Sequence, residues 1–406
     1  MKTLTFNLPV NAVSFGQTST LLLKTIFDRI KNGADYQVNL FPIGGGYDLG
    51  SQKQDPEFEK WLNSCIMRAF SSHTKDSPIF KLWHLNGSLE SFSKDQSLLS
   101  FYELDSPTPI ELNVAKNNKT YFSSKYTCEV FESHGVKAGY IPLAFDSYNF
   151  YKTKKNYFAD GRIVFNICGK FEKRKHHAKA IKAWIKKFGN DNKYGLQCSI
   201  YNPFMNEQQN NQVLAAAILE GKPKPYNVNF LPPMPQNEMY NDLLNSGDIV
   251  VGMSGGEGWG LPEFQSVALG KHAVILNASS YKDWANEENS VLIQPNGKEE
   301  AYDGMFFNKG NAFNQGNIFT WNEDEFIAGC EKAIERVKTD RENKSGLLLQ
   351  QEFNKEKFAD TIILEPIVDT LLLLLLQQGI LNVTHLNHLL KIIGCFQKIL
   401  RYSLIQ

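Results

Sequence analysis

Short apolar runs alternate with amphipathic segments along most of the chain, and this alternation determines the predicted fold. In parallel α/β sheets, strands that are buried on both faces are continuous apolar runs, and helices lie between them. The first half contains predicted strands at Thr3–Leu8, Tyr36–Pro42, Ile79–Leu85, Leu98–Leu104, Thr120–Ser123 and Gly139–Leu143. The pattern therefore predicts a parallel sheet covered by helices.

The second half is more regular. Its predicted strands are Arg162–Cys168, Leu196–Tyr201, Asn227–Leu231, Asp248–Met253, His272–Leu276 and Ser290–Ile293. Its predicted helices lie near His177–Phe188, Gln209–Leu219, Gln236–Asn245, Leu261–Leu269 and Glu323–Val337. A second lobe of the same α/β design is predicted.

The chain length favours two domains, because 406 residues exceed what one small core organises. Residues Asp146–Asp160 are polar, aromatic and basic without a period, which is typical of a linker, and we place the boundary near Tyr157. The predicted domains are 1–150 and 157–357, followed by a helical tail over 358–406.

The tail has an amphipathic pattern. Its apolar stripe consists of Leu386, Leu389, Leu390, Ile393, Phe396 and Leu400. The favoured interpretation is that this stripe packs on the protein itself, and a peripheral membrane or oligomer contact is the alternative.

Composition excludes several classes of protein. The chain carries 43 basic and 43 acidic residues, so no overall field attracts nucleic acid or an anionic membrane. Its six cysteines are widely spaced, without a CxxC pair or a histidine cluster at metal-ligand spacing, so we expect reduced thiols and no metal.

The longest apolar stretch, Leu371–Leu376, is far shorter than a membrane span. We expect a cytoplasmic protein.

The most informative segment runs from Asp248 to Ala273. An apolar strand ends near Met253, a glycine-rich loop follows, and a helix begins around Pro262. Glycines let the backbone approach a ligand closely, and the free amides and positive dipole end of a helix start favour a diphosphate. Glu257 lies in the middle of this loop, where a carboxylate suits a sugar hydroxyl better than a phosphate.

A basic run follows the first strand of the same lobe. Lys170, Lys173, Arg174 and Lys175 come directly after Gly169 and precede a helix. Cations at the end of a strand can neutralise a diphosphate leaving group. The sequence therefore predicts that two segments of the second lobe meet at a diphosphate.

Both segments resemble motifs of the group 1 family of retaining glycosyltransferases. That family has G-R-x-x-x-x-K and, further along, S-x-x-E-G-x-G-L-P-x-x-E-A-x-A-x-G, and this chain has matching runs at Gly169–Lys175 and Ser254–Gly270. The end of the first half, Ser123–Asp146, is also similar to the family, and Ser14–Ser19 lies where the family has a glycine loop. The resemblance covers roughly residues 1 to 360.

The resemblance implies the GT-B fold, in which two Rossmann-like parallel-sheet lobes face a central cleft, with C-terminal helices. It implies transfer of a sugar from a nucleotide-diphosphate sugar to a glycan, lipid-linked or protein-linked acceptor, without a cofactor or metal. By matching positions, Lys170 and Lys175 would stabilise the leaving diphosphate, and Glu257 would bind the donor sugar. The donor would further contact residues of the two glycine loops and the helix start: Gly16, Gly169, Gly256, Gly258, Trp259, Gly260, Leu261 and Gln265.

The chain departs from the family pattern at two of these positions. Lys170 replaces an arginine, which keeps the charge and loses bidentate geometry. Gln265 replaces the glutamate that contacts ribose in the family, although its amide still donates and accepts hydrogen bonds.

In the first lobe, His84 and Glu103 lie at the ends of two predicted strands, and Asp105 and Glu111 follow the second of these strands, where all four could contact an acceptor. A structural role for His84 is the simpler interpretation. The alternatives to a transferase are a sugar-nucleotide epimerase on the same fold and a sugar-nucleotide-binding protein that has lost catalysis.

Overall fold

A computed structural model describes residues 1–364 except 156 and 159. Residues Met1–Ala359 form one compact unit that holds both sheets. The apolar stripe predicted for Leu386 to Leu400 lies outside the described residues. The limits predicted for the three domains, including the boundary near Tyr157, stay predictions.

The first lobe contains a six-stranded parallel sheet in the order β2-β1-β3-β4-β5-β6. Its strands are β1 (Lys2–Leu8), β2 (Tyr36–Pro42), β3 (Ile79–Leu82), β4 (Gln96–Ser100), β5 (Lys119–Phe122) and β6 (Gly139–Tyr140). Its helices are α1 (Ser14–Lys31), α2 (Pro56–Ser72), α3 (Pro109–Lys116) and α4 (Lys125–Ser133).

Side-chain caps fix where three of these helices begin. Asp55 accepts a hydrogen bond from the backbone of α2, and Ser124 does the same for α4. Thr108 and Glu111 form a reciprocal capping box at α3, and Pro109 occupies the first turn. Glu111 therefore stabilises the start of α3 in the first lobe.

The second lobe contains another six-stranded parallel sheet, in the order β12-β11-β10-β7-β8-β9. Its strands are β7 (Ile163–Lys170), β8 (Tyr194–Tyr201), β9 (Val228–Phe230), β10 (Ile249–Gly252), β11 (His272–Leu276) and β12 (Val291–Ile293). Its helices are α5 (His177–Phe188), α6 (Glu207–Leu214, continued by a π turn at Ala215–Leu219), α7 (Asn237–Ser246), α8 (Leu261–Ala268), α9 (Glu323–Thr339), α10 (Lys344–Leu347) and α11 (Leu349–Glu352). The prediction of two parallel-sheet lobes is confirmed.

Three strand predictions in the first lobe ran three or more residues too far. The strands predicted at Ile79–Leu85, Leu98–Leu104 and Gly139–Leu143 end at Leu82, Ser100 and Tyr140. Residues after Ser100 leave the sheet because they turn into the interface with the second lobe, where the backbone of Phe101 and Glu103 meets the glycine loop.

A hairpin that the sequence analysis did not predict joins the lobes. Strands β13 (Pro295–Glu300) and β14 (Asn317–Trp321) pair in antiparallel fashion, and the connecting residues 301–316 complete what we call the arm, residues 295–321. Three buried arm residues, Ala301, Phe307 and Ile318, belong to one hydrophobic cluster with first-lobe core residues. The arm of the second lobe thus completes the core of the first.

No helix within residues 1–364 combines the length and the apolar character that a membrane crossing needs.

Candidate functional site

The glycine-rich loop connects β10 to α8, as the sequence predicts. Gly260 is the N-cap of α8 with φ +79°, and a Cβ there would lie 2.3 Å from the ring of Tyr281. A side chain at position 260 is therefore disfavoured both by the left-handed backbone and by the space available. Leu261 begins α8, and it is half-buried.

Two other loop glycines are in close contact with the opposite lobe. A Cβ at Gly256 would lie 2.6 Å from the carbonyl oxygen of Glu103, and a Cβ at Gly258 would lie 2.7 Å from the Cβ of Phe101. The Ser123 hydroxyl also donates to the Gly258 carbonyl at 2.7 Å. We expected these glycines to admit a ligand, but in the structure their small size admits the first-lobe backbone.

The basic run after β7 forms a 3₁₀ turn, Lys173–Lys175, that brings two cations to Glu257. The Nζ of Lys175 lies 2.5 Å from Oε1 of Glu257, and Nη1 of Arg174 lies 3.0 Å from the same oxygen. Arg174 also donates from Nη1 to the Gly256 carbonyl at 2.5 Å. The two predicted segments therefore meet, although Glu257 is paired with protein cations.

Arg174 makes two further ion pairs. Its Nη2 lies 2.9 Å from Oε1 of Glu103, which belongs to the first lobe, and 2.8 Å from Oε1 of Glu172. Lys170 is connected to Arg174 through Glu172. The Nζ of Lys170 lies 3.2 Å from Oε2 of Glu172 and 3.8 Å from the ring centroid of Phe306. We call Glu103, Lys170, Glu172, Arg174, Lys175 and Glu257 the ion cluster.

The ion cluster contains three cations and three carboxylates, so its formal charges cancel. Its side chains differ in exposure: those of Arg174, Lys175 and Glu257 are 6–7% exposed and that of Glu172 is 0% exposed, whereas Glu103 is 25% and Lys170 35% exposed. Buried charges are tolerated only when they are paired. The pairing within the cluster meets this requirement.

Burial and pairing act in opposite directions on the ionisation of these groups. Burial by itself would raise the pKa of Glu257, but the charges of Arg174 and Lys175 outweigh it and lower that pKa. Burial would lower the pKa of Lys175, and Glu257 more than compensates, so the pKa of this ammonium is raised. The Lys175–Glu257 pair is therefore fully charged at neutral pH.

A second buried carboxyl lies behind the loop. Glu263, in the first turn of α8, is 2% exposed. A Cβ at Gly252 would lie 2.8 Å from its Cγ and 3.3 Å from the hydroxyl of Tyr281. Burial raises the pKa of Glu263; the charge of Lys175 offsets part of this rise, and repulsion by Glu257 adds a smaller contribution to it. The sequence analysis did not select Glu263, because its position on α8 does not show which neighbours surround it.

Gly169 and Gly16 are both required by local geometry. Gly169 has φ +121°, and a Cβ there would approach Nζ of Lys175 to 3.7 Å. A Cβ at Gly16 would lie within 2.5 Å of several atoms of Asn11, so this glycine closes the turn between β1 and α1. Both lie next to turns at strand ends, where ligands of α/β sheets usually bind.

At four of the predicted contact residues the structure shows protein partners. The Trp259 ring is buried and packs against Phe264 and Phe353, with ring centroids 5.4 Å away in both cases, so it is part of the core. Glu103 pairs with Arg174, as described above. Asp105 holds the arm through Lys298 at 2.7 Å, and it accepts a hydrogen bond from the backbone N–H of Asn317 at 2.7 Å.

The fourth contact is Glu111. Its Oε1 accepts a hydrogen bond from the backbone N–H of Asn314 in the arm at 2.8 Å, and its Oε2 accepts one from Tyr102 at 3.1 Å. Both Asp105 and Glu111 thus bind the arm.

Two further predicted contact residues, Gln265 and His84, differ in exposure. Gln265 is buried, and its Oε1 accepts a hydrogen bond from the backbone N–H of Asp146 at 3.3 Å. His84 lies just after β3 and is exposed, and its ring is tilted against that of Phe15 with ring centroids 4.5 Å apart. Desolvation by the surrounding protein and the charge of Lys170 lower the pKa of His84 to about 4, so its imidazole is neutral at pH 7.

Arg174 is the functional candidate that sequence reasoning missed. It lies in the basic run, but the family pattern selects its neighbours Lys170 and Lys175. Its contacts with three carboxylates and the glycine loop emerge only when the chain is folded. Among residues 1–364, the structure contains no group of three or more histidine, cysteine, aspartate or glutamate side chains arranged to hold a metal ion.

No family model and no curated protein sequence matches the chain. Solved structures resemble it in fold. A sucrose-phosphate synthase from Thermosynechococcus elongatus is 14% identical with a TM-score of 0.60, covering 92% of this chain and 99% of that one. HepE from Anabaena, in complex with UDP-glucose, is 14% identical with a TM-score of 0.59, covering 91% and 100%. A glycosyltransferase from Rickettsia africae is 11% identical with a TM-score of 0.58, covering 89% and 97%.

At these identities the likeness shows the fold. The two Rossmann-like lobes of this chain have the GT-B arrangement of the similar structures.

Proposed function

We propose that this protein is a metal-independent, retaining glycosyltransferase of the group 1 type, which transfers a sugar, such as a hexose, from a nucleotide diphosphate to an acceptor. The observation that carries the proposal is the 2.5 Å contact between Lys175 and Glu257 in the glycine loop that leads into α8, within a GT-B fold. It brings together the two motifs that resemble the family.

Each group has a role suited to its chemistry. Lys175 and Lys170 neutralise the negative charge that develops on the departing diphosphate, which is the electrostatic contribution that usually dominates such reactions. The backbone amides at the start of α8 bind phosphate oxygens, while Gly256 and Gly258 let the glycine loop lie against the first lobe and so hold those amides in place. Glu257 accepts hydrogen bonds from hydroxyl groups of the donor sugar. Its ion pair with Lys175 keeps the carboxylate ionised.

The acceptor is a glycan or another hydroxyl compound that approaches from the first lobe. His84 is the first-lobe candidate that remains exposed, and its neutral imidazole can accept a proton or a hydrogen bond. UDP-glucose is the first donor to test, because it is bound in the similar HepE structure.

The test is incubation with UDP-, GDP- and ADP-sugars, with and without an acceptor mixture, while the released nucleotide diphosphate is measured. We expect release from one donor class, unaffected by EDTA and lost in Glu257→Ala. The product anomer, read from its proton NMR coupling constant, should match the donor anomer. Loss of turnover with EDTA, or an inverted product, would contradict the corresponding part of the proposal.

One observation favours a second candidate, a protein that binds nucleotide sugars without turning them over. Gln265 stands at the position of the ribose-binding glutamate, and its Oε1 is already bonded to the backbone of Asp146. Tight binding of a nucleotide sugar without release of the diphosphate in any acceptor mixture would favour this candidate.

A further inference from the structure

The ion cluster is electrically complete without a ligand. Lys170, Arg174 and Lys175 are balanced by Glu103, Glu172 and Glu257, and each cation lies within ion-pair distance of at least one carboxylate. A nucleoside diphosphate brings two or more negative charges to this place. Because like charges in a desolvated site repel strongly, a carboxylate has to leave the cations when the diphosphate arrives.

Glu103 is the carboxylate that can leave. The side chains of Glu172 and Glu257 are 0% and 6% exposed, whereas that of Glu103 is 25% exposed and can turn to solvent. Glu103 is also the one cluster member from the first lobe. Its backbone is held against Gly256, so movement of its side chain does not require the chain to move.

We infer that Glu103 is an exchangeable counter-ion, which occupies Arg174 in the empty protein and is displaced by the diphosphate of a bound nucleotide. Nη1 keeps its contacts with Gly256 and Glu257, and Nη2 keeps Glu172, so the departure of Glu103 leaves Nη2 free to make one charge-assisted hydrogen bond to a phosphate oxygen. Arg174 would replace in this way the arginine that the family has at position 170. This inference rests on the proposed function and adds a residue that sets the affinity for the nucleotide.

Displacement of Glu103 also breaks an ion pair between the lobes. Donor binding and the contact between the lobes are therefore linked, since the same guanidinium cannot serve the carboxylate and the phosphate equally well. A carboxylate that competes with the ligand lowers the apparent affinity, and its removal raises it.

The experiment is calorimetric titration of wild type, Glu103→Gln and Asp105→Asn with UDP, GDP, ADP and inorganic pyrophosphate. Glu103→Gln removes the competing charge and nearly keeps the shape. Asp105→Asn is the matched control, because it also removes one negative charge and weakens a contact between the lobes, at the Lys298 pair outside the ion cluster. We expect Glu103→Gln to bind one nucleoside diphosphate at least about tenfold more tightly than wild type, the effect of one charge-assisted contact. Asp105→Asn should bind like wild type.

Three results would overturn the inference. They are equal or weaker binding by Glu103→Gln, an equal gain in Asp105→Asn, and tighter binding by Glu103→Asp, which keeps the charge and should resemble wild type. If wild type and Glu103→Gln both fail to bind any diphosphate, both this inference and the proposed function are wrong. If wild type turns over a donor but Glu103→Gln gains no affinity, only the role of Glu103 is wrong. Thermal unfolding of each variant shows whether it is folded.

Discussion

The carboxylate of Glu257 lies 2.5 Å from the Nζ of Lys175, and both side chains are almost fully shielded from solvent. A carboxylate in the middle of a glycine loop and a lysine more than 80 positions earlier have become one buried ion pair. Its energetic effect can be measured without knowing any substrate.

Glu257→Ala should lower the free energy of unfolding by about 3 to 5 kcal/mol, because Lys175 loses its partner and Arg174 loses one of three. Urea denaturation followed by circular dichroism measures the change. The control is Glu57→Ala, which breaks the exposed pair with Lys31 and should change stability little. Equal effects of the two substitutions would mean that the Lys175–Glu257 pair is not buried in solution.

Gly258→Ala should be destabilising by about 1 to 3 kcal/mol, because the new Cβ would lie 2.7 Å from the Cβ of Phe101 in the opposite lobe. The lobes would have to separate to admit the methyl group, so nucleotide binding should weaken as well. Gly46→Ala is the control, since nothing lies within 4 Å of a Cβ at that exposed glycine. Urea denaturation that finds both variants alike would show that the two lobes do not touch at this point.

The buried carboxyl group of Asp283 should make the free energy of unfolding depend on pH. This buried carboxyl of the second lobe accepts a hydrogen bond from the backbone N–H of Lys125, at the start of α4, at 3.1 Å. Burial raises the pKa of Asp283 from its ordinary value near 3.8 to about 6. The folded protein therefore holds a proton here that the unfolded chain has released, and the stability contributed by Asp283 is lost as the pH rises from about 4 to about 6.

Asp283→Asn should remove this loss. Relative to wild type, the variant should gain about 2 kcal/mol of stability between pH 4 and pH 7.5, as measured by urea denaturation at both values. The same exchange at exposed Asp76, which pairs with Lys94 at the surface, is the control and should show a far smaller change. A constant difference between wild type and Asp283→Asn at the two pH values would contradict the prediction.

The arm predicts a long-range effect on stability. Ile318 of the second lobe is 0% exposed and packs with the core of the first lobe. Ile318→Ala should cost about 2 to 5 kcal/mol, because it opens a cavity in that core. Ile110→Ala removes the same atoms from a side chain that is 48% exposed and should cost about 0.5 kcal/mol or less. Similar urea midpoints for the two variants would show that the arm is not docked.

The sequence allowed the two sheets to be predicted because their strands are buried on both faces. Strand β11 was predicted at the residues where it lies, His272–Leu276, since its continuous apolar run is flanked by turn residues. The strand–loop–helix around Glu257 was predicted for a related reason: glycines and Pro262 mark local backbone geometry.

The arm was not predictable in the same way. Strand β13, Pro295–Glu300, is polar and mostly exposed, so its sequence carries no strand pattern. The apolar residues that secure the arm are complementary to a surface of the distant first lobe. The partners of Glu103, Asp105 and Arg174 depend on this docking, and no local pattern encodes them.

The docked arm also determines how this protein can be divided or recombined. A front half expressed without residues 295–321 would expose the apolar side chains that Phe307 and Ile318 cover, and it would be prone to aggregation. A hybrid that joins this front half to the rear half of a structural relative would need the arm transplanted along with it. The two halves are therefore not interchangeable modules, although each has its own sheet.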